Sequence, residues 1–186
     1  PPPLDFRCCS PKINQFFSCI LLFLNSCTSE MNLNKFSNIE PEFSLEEYFS
    51  GKTEAWGLFH DRFGNLKRSF KVDITGTLYG NELTLDEKFL YDDGEKDQRI
   101  WTINILDDKK YIGKADDVVG QAYGNASGNA LNWSYQLMLK VKDSKIKVTF
   151  DDWMFLQDKG VLINRAEVKK YGINLGVVTI TFLKVN

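Results

Sequence analysis

A chain of 186 residues provides for one domain of ordinary size behind an N-terminal addressing segment. Its 43% hydrophobic and 13% aromatic content argue against a disordered chain. A formal charge of -2, with one His, argues against a basic nucleic-acid-binding face. All four cysteines, Cys8, Cys9, Cys19 and Cys27, fall near the N-terminus, so no disulfide framework or thiolate metal site is expected beyond them.

Residues 1–11 read as upstream sequence without fold information. Lys12 then leads into the apolar run Phe16 to Leu24, which is too short to span a bilayer but suits the core of a secretory signal. The tetrapeptide Leu24-Asn25-Ser26-Cys27 resembles the lipobox of bacterial lipoproteins, a family in which the Cys becomes the mature N-terminus and carries the acyl chains, palmitate among them. The resemblance implies lipidation at Cys27 and attachment to a membrane, held by ~0.8 kcal/mol for each buried methylene. Thr28 stands after that Cys where Asp would imply retention at the inner membrane, so the expected location is the cell envelope at the outer membrane. Residues 1–26 are thus expected to be extension and signal peptide, 27–43 a lipidated Cys with a polar tether, and 44–186 a folded domain.

Ser44-Leu45-Glu46-Glu47 fits a capping box, in which the Ser oxygen takes an orphan amide of the first turn, and predicts a short helix stopped by Gly51. From Lys52 the chain alternates apolar and polar residues in short runs separated by turn signals. The runs are Glu54 to Phe59, Phe70 to Thr75, Leu83 to Leu85, Trp101 to Ile105, Tyr111 to Gly113, Tyr135 to Val141 and Val178 to Phe182. Gly80-Asn81 and Asp107-Asp108 mark turns among them. A long hairpin over 146–168 turns at Asp158-Lys159-Gly160, with Gly160 in the left-handed position, pairing Leu156 with Leu162, Met154 with Asn164 and Trp153 with Arg165. Side chains in a strand repeat every second residue, which sets Asp152 and Asn164 on the same apolar face as Val148, Phe150 and Leu162. Even spacing of short strands without intervening helical patterns predicts an all-β fold: an antiparallel up-and-down barrel of about eight to ten strands, lipocalin- or calycin-like, with a short N-terminal helix.

The opening from Ser44 to Trp56, a capped helix followed by a strand carrying Trp, is similar to how lipocalins begin. Lipocalins place Gly two residues before that Trp, whereas Glu54 stands there, so the likeness is one of architecture. A closer resemblance spans about Phe43 to Lys184. The strings Gly51-Lys52-Thr53-Glu54-Ala55-Trp56-Gly57, Gly113 to Gly120, Gly128 to Trp133, and Asp151-Asp152-Trp153-Met154 with Ile163-Asn164-Arg165 resemble the proteobacterial lipoprotein family known as domain of unknown function 3833. The resemblance implies a secreted lipoprotein with a lipocalin-like barrel and no established activity. Members tend to be encoded near enzymes that modify fatty acyl chains, which implies a lipid-related role.

The residues expected to contact a hydrophobic ligand are Asp152, Asn164, Arg165, Trp56, Trp133 and Asp116. Asp152 faces inward and needs a partner there. Arg165 beside Trp153 forms a surface cation-π pair, or, after a slip of one residue, turns inward to grip a carboxylate. Trp56, Trp101 and Trp133 line or plug the interior. Asp116-Asp117 between two glycines is either a site or a solvated turn, and His60 is an exposed residue at a strand end. No cofactor or metal is expected, because the sequence has neither a phosphate-cradling glycine loop nor an Asp-rich calcium loop. The expected function is a membrane-anchored binding protein for a fatty acyl or other hydrophobic ligand. The alternatives are an assembly lipoprotein whose solid barrel docks a protein partner that the sequence does not identify, and an enzyme on acyl chains with Asp152 as acid or base.

Overall fold

A computed structural model describes residues 31–106, 109–141 and 144–185. The signal segment, Cys27 with its lipobox, and the Asp107-Asp108 turn lie outside the described residues. Ten strands follow a short helix α1 (Leu45–Phe49): β1 (Gly51–Asp61), β2 (Leu66–Tyr79), β3 (Glu82–Tyr91), β4 (Lys96–Leu106), β5 (Lys110–Lys114), β6 (Ala122–Ser127), β7 (Ala130–Val141), β8 (Ser144–Leu156), β9 (Val161–Lys170) and β10 (Ile173–Lys184). Each strand pairs antiparallel with its sequence neighbour, and β10 returns to β1, closing an up-and-down barrel. Closure leaves no free sheet edge among these strands.

The β8–β9 hairpin has the expected register, with Leu156 opposite Leu162, Met154 opposite Asn164 and Trp153 opposite Arg165. Lys159 joins Gly160 in the left-handed region, with φ of 59° and 73°. Strand β6 was not expected from the pattern. The inward residues of Ala122-Tyr123-Gly124-Asn125-Ala126-Ser127 are small, and Gly124 is held to glycine because the Trp133 ring lies across it, where a Cβ would sit 2.2 Å from that ring.

One end of the barrel is closed by α1. The Ser44 hydroxyl accepts from the Glu47 amide at 3.2 Å, as a capping residue should. The helix buries Leu45, Tyr48 and Phe49. Tyr48 Oη donates to the carbonyls of Gly160 and Phe182 at 2.9 and 3.1 Å, and Phe49 meets Phe182 edge-on with ring centroids 5.6 Å apart. Lys184 Nζ donates to the Glu47 and Tyr48 carbonyls, placing a cation at the helix C-terminus, where the dipole favours it.

The polar tether expected over 28–43 is, from Asn32 onward, part of the barrel unit. Leu33–Phe36 form a 3-10 turn, and Phe36 packs on Phe155 and Trp153 at 5.3 and 6.2 Å between centroids. Phe43 is fully buried and its amide donates to the Gly128 carbonyl at 2.8 Å. Glu42 pairs with Lys109. Two aromatic anchors thus turn a polar segment into a docked strap. Gly128 permits this docking, because its φ is +52° and a Cβ would lie 1.7 Å from the Phe36 carbonyl oxygen. Gly128→Ala is expected to lower unfolding stability by more than about 1 kcal/mol, read by denaturant melts, and to expose residues 32–43 to proteolysis while far-UV circular dichroism stays that of a barrel.

Candidate functional site

Inside the barrel lies a cavity of about 360 Å³, within the size range of small-molecule sites. It runs from Leu45 and Phe49 of α1 at the closed end to Arg68, Tyr91 and Lys140 at the other, where Lys140 is exposed and the Arg68 side chain is 33% accessible. That second end is the mouth. The wall between is mostly apolar, with Phe70, Val72, Ile74, Leu137, Val178 and Ile180 among its residues. Trp101 stands edge-on to Trp133 and Tyr135 at 5.7 and 5.4 Å, and Tyr135 stacks on Phe150 at 5.1 Å.

Set into this wall is a group of charged and polar side chains from five strands, joined by one from a loop outside the lining. Strand periodicity puts Arg99 on the face of Trp101 and Ile103, and Glu87 on the face of Leu85 and Phe89. Glu87 and Arg99 are cross-strand partners, with 4.0 Å between guanidinium and carboxylate. The loop between β5 and β6 folds against β7, where Val118 bridges to Leu137 and the Met138 amide donates to the Asp117 carbonyl at 2.8 Å. This carries Asp117 to the same guanidinium. Arg99 Nε donates to both Asp117 oxygens, at 3.1 and 3.0 Å, and Nη2 donates to Oδ2 at 2.7 Å. Burial works against the Arg99 charge, but the facing Glu87, Tyr135 and Asp117 more than offset it, so its pKa is raised. Burial pushes the Glu87 carboxyl up to about 7 despite the pull of Arg99.

Asp152 on β8 and Asn164 on β9 complete the group. Asp152 is 7% exposed and Asn164 1%. Tyr135 Oη donates to Asp152 Oδ2 across a long 3.5 Å. Burial, reinforced by the neighbouring Asp151, pushes the Asp152 carboxyl up to about 8 against the pull of Arg99. Burial and Asp152 together hold the Tyr135 hydroxyl well above its ordinary range. Among the described residues, Asp152 Oδ1 and both polar atoms of the Asn164 amide have no hydrogen-bond partner, although each is fully enclosed. Three such orphans on one cavity wall carry an appreciable desolvation cost, the usual mark of a place where something polar is meant to sit.

Of the six expected contact residues, the structure brings Asp152, Asn164 and Trp133 to the cavity. The other three lie elsewhere. Trp56 faces outward and is 40% exposed, because β1 turns its small residues Ala55 and Gly57 inward, the Phe70 ring filling the space at Gly57. Arg165 also faces outward and pairs with Glu167 at 3.0 Å. Its cross-strand neighbour Trp153 is buried under Phe36 rather than exposed for a surface cation-π contact. Asp116 is exposed, and its neighbour Asp117 is the one that reaches Arg99. His60 is part-buried near the end of β1. The pattern reading passed over Glu87 and Arg99, although each shares parity with flanking apolar residues, the signal that exposed Asp152.

A sequence model of the family described as "Protein of unknown function (DUF3833)" matches residues 21–184. The chain belongs to the DUF3833 family. No curated protein matches it. In this DUF3833 chain the matched span takes in all ten strands and every polar residue of the cavity.

The raised Asp152 and Glu87 fix the sign of a pH effect in this DUF3833 barrel. Between the ordinary carboxylate range, about pH 4, and their folded values of about 8 and about 7, the folded state holds these protons while the unfolded state has lost them. Their contribution to stability is therefore fully present below that interval and declines as pH rises through it. Thermal melts are expected to show a falling Tm from pH 5 to pH 9, and Asp152→Asn is expected to flatten the fall.

Proposed function

We propose that this protein is a lipid-anchored lipoprotein of the bacterial cell envelope whose lipocalin-like barrel holds an amphiphilic guest with an acyl or similarly apolar body. The observation that carries the reading is the juxtaposition of a largely apolar cavity of about 360 Å³ with the orphaned polar atoms of Asp152 and Asn164 on its wall. A core selected only for stability would have filled the space or replaced those groups with apolar ones, since unpaired buried polar atoms cost free energy. An amphiphile meets both needs, its chain against the phenylalanines and its head against the orphans. The anchor is proposed at Cys27 from the Leu24-Asn25-Ser26-Cys27 lipobox, and the outer membrane from Thr28.

A second reading, docking of a protein partner, is favoured by the outer face of the barrel. Trp56 and Leu58 on β1 are 40% and 41% exposed, and Ile163 on β9 is 39% exposed across Thr181 of β10. The two readings separate cleanly. Titrating the full chain with medium-chain amphiphiles is expected to give a saturable change in the emission of Trp101 and Trp133, and Ile180→Trp, which adds bulk to the cavity wall, is expected to weaken binding about tenfold or more with the barrel spectrum retained. Loss of pull-down partners in Trp56→Ala with no saturable ligand signal would favour the docking reading. For the anchor, Cys27→Ser is expected to abolish incorporation of labelled palmitate and to release the chain from the membrane fraction.

A further inference from the structure

The charge pattern around the cavity constrains the head of the guest, and this inference rests on the container reading above. Arg99 is the residue that would grip a carboxylate, yet its fork is already taken by Asp117, through both carboxylate oxygens at 2.7–3.1 Å, with Glu87 at 4.0 Å from Nη1. Arg68 at the mouth is likewise engaged, by Asp93 at 3.3 Å, by Glu95 and by the Tyr91 ring 3.5 Å below its guanidinium. Glu87 and Asp152 line the cavity with Arg99, whose guanidinium pairs with Glu87 and, from the β5–β6 loop, with Asp117. The excess of carboxylates is no metal site, since no three metal-ligating side chains converge among the described residues. Above about pH 8, where Asp152 and Glu87 are ionised, a fourth carboxylate seated beside them would meet like charge in a poorly solvated space, while the remaining lining cation, Lys140, stands exposed at the mouth.

The orphaned atoms define what is wanted instead. Asn164 presents both an N–H donor and a carbonyl acceptor, and Asp152 Oδ1 presents a further oxygen. Their register, Asp152 opposite Ala166 and Met154 opposite Asn164, sets the two side chains diagonally on adjacent strands, both facing the cavity. A hydroxyl or a primary carboxamide can donate and accept at once; an ammonium can only donate and a carboxylate can only accept.

We propose that the barrel selects amphiphiles with an uncharged head that both donates and accepts hydrogen bonds, a hydroxyl or a primary carboxamide seated on Asn164 and Asp152, and discriminates against fatty carboxylates.

The test compares four probes of equal chain length, decanol, decanamide, decylamine and decanoate, titrated into the full chain at pH 8.5 with tryptophan emission as readout. Decanol and decanamide are expected to bind at least about tenfold more tightly than decanoate, the discrimination that a like-charge contact supports, with decylamine between them. Asp152→Asn removes one carboxylate while keeping the side-chain shape, so it is expected to narrow the gap between decanol and decanoate severalfold. Asn164→Leu is expected to weaken decanamide more than decylamine, because only the amide uses both of its orphaned atoms. Decanoate binding as tightly as decanol, decylamine binding more tightly than decanol, or a gap unmoved in Asp152→Asn, would overturn the head-group assignment and leave the container reading standing. Absence of saturable binding by all four probes would overturn both.

Discussion

The interior of this barrel depends on satisfying one charge. A guanidinium inside a closed sheet is costly unless it is paired and hydrogen-bonded, and Arg99 projects inward because strand geometry sets it in line with Trp101 and Ile103. Glu87 answers from the neighbouring strand at a fixed register. Asp117 answers from farther away, and reaching Arg99 requires the β5–β6 loop to fold against β7. The loop thereby packs Ala115 and Val118 against the core where β5 and β6 are short, at five and six residues. One ion cluster therefore supplies polarity to the cavity and fixes the β5–β6 loop against the barrel, and the raised carboxyls of Glu87 and Asp152 follow from being held in the same poorly solvated space.

The space itself is shaped by where large rings are accommodated. Trp133 lies over Gly113 and Gly124, where an added Cβ would stand 2.5 and 2.2 Å from its ring, and Phe70 lies over Gly57 at 2.1 Å. Glycine at these inward positions lets the aromatic groups lie flat against the sheet rather than meeting across the axis. The aromatic content that would plug a barrel of ordinary residues is thus held at the wall, and a cavity remains.

Much of this was legible in the sequence because it rests on period two. The all-β class, the up-and-down order, the β8–β9 register and the inward Asp152 and Asn164 follow from alternation and turn chemistry alone. What was illegible rests on complementarity between distant segments. Trp56 looks like a core residue by type, but Ala55 and Gly57 take the inward places because Phe70 occupies the volume beside them. Strand β6 is disguised by small inward residues, with Gly124 held to glycine by the Trp133 ring. Trp153 reads as exposed by its strand parity, and is hidden only because Phe36, more than a hundred residues earlier, lies on it. Glu87 and Arg99 sit among Asp86, Lys88, Asp97 and Gln98, so the local charge density suggests solvated turn flanks and conceals two residues of inward parity.

The strap and α1 both belong to the closed end, where Phe43 is tied to Gly128 and Tyr48 to Gly160 and Phe182. Arg68 and Lys140 stand at the opposite pole. Any mechanical load transmitted along the chain into Asn32 is therefore borne first by the aromatic anchors and hydrogen bonds of the sealed pole. The opposite rim, with Arg68 and Lys140, stays off that path, so tension on the N-terminal strap is mechanically uncoupled from the mouth of the cavity.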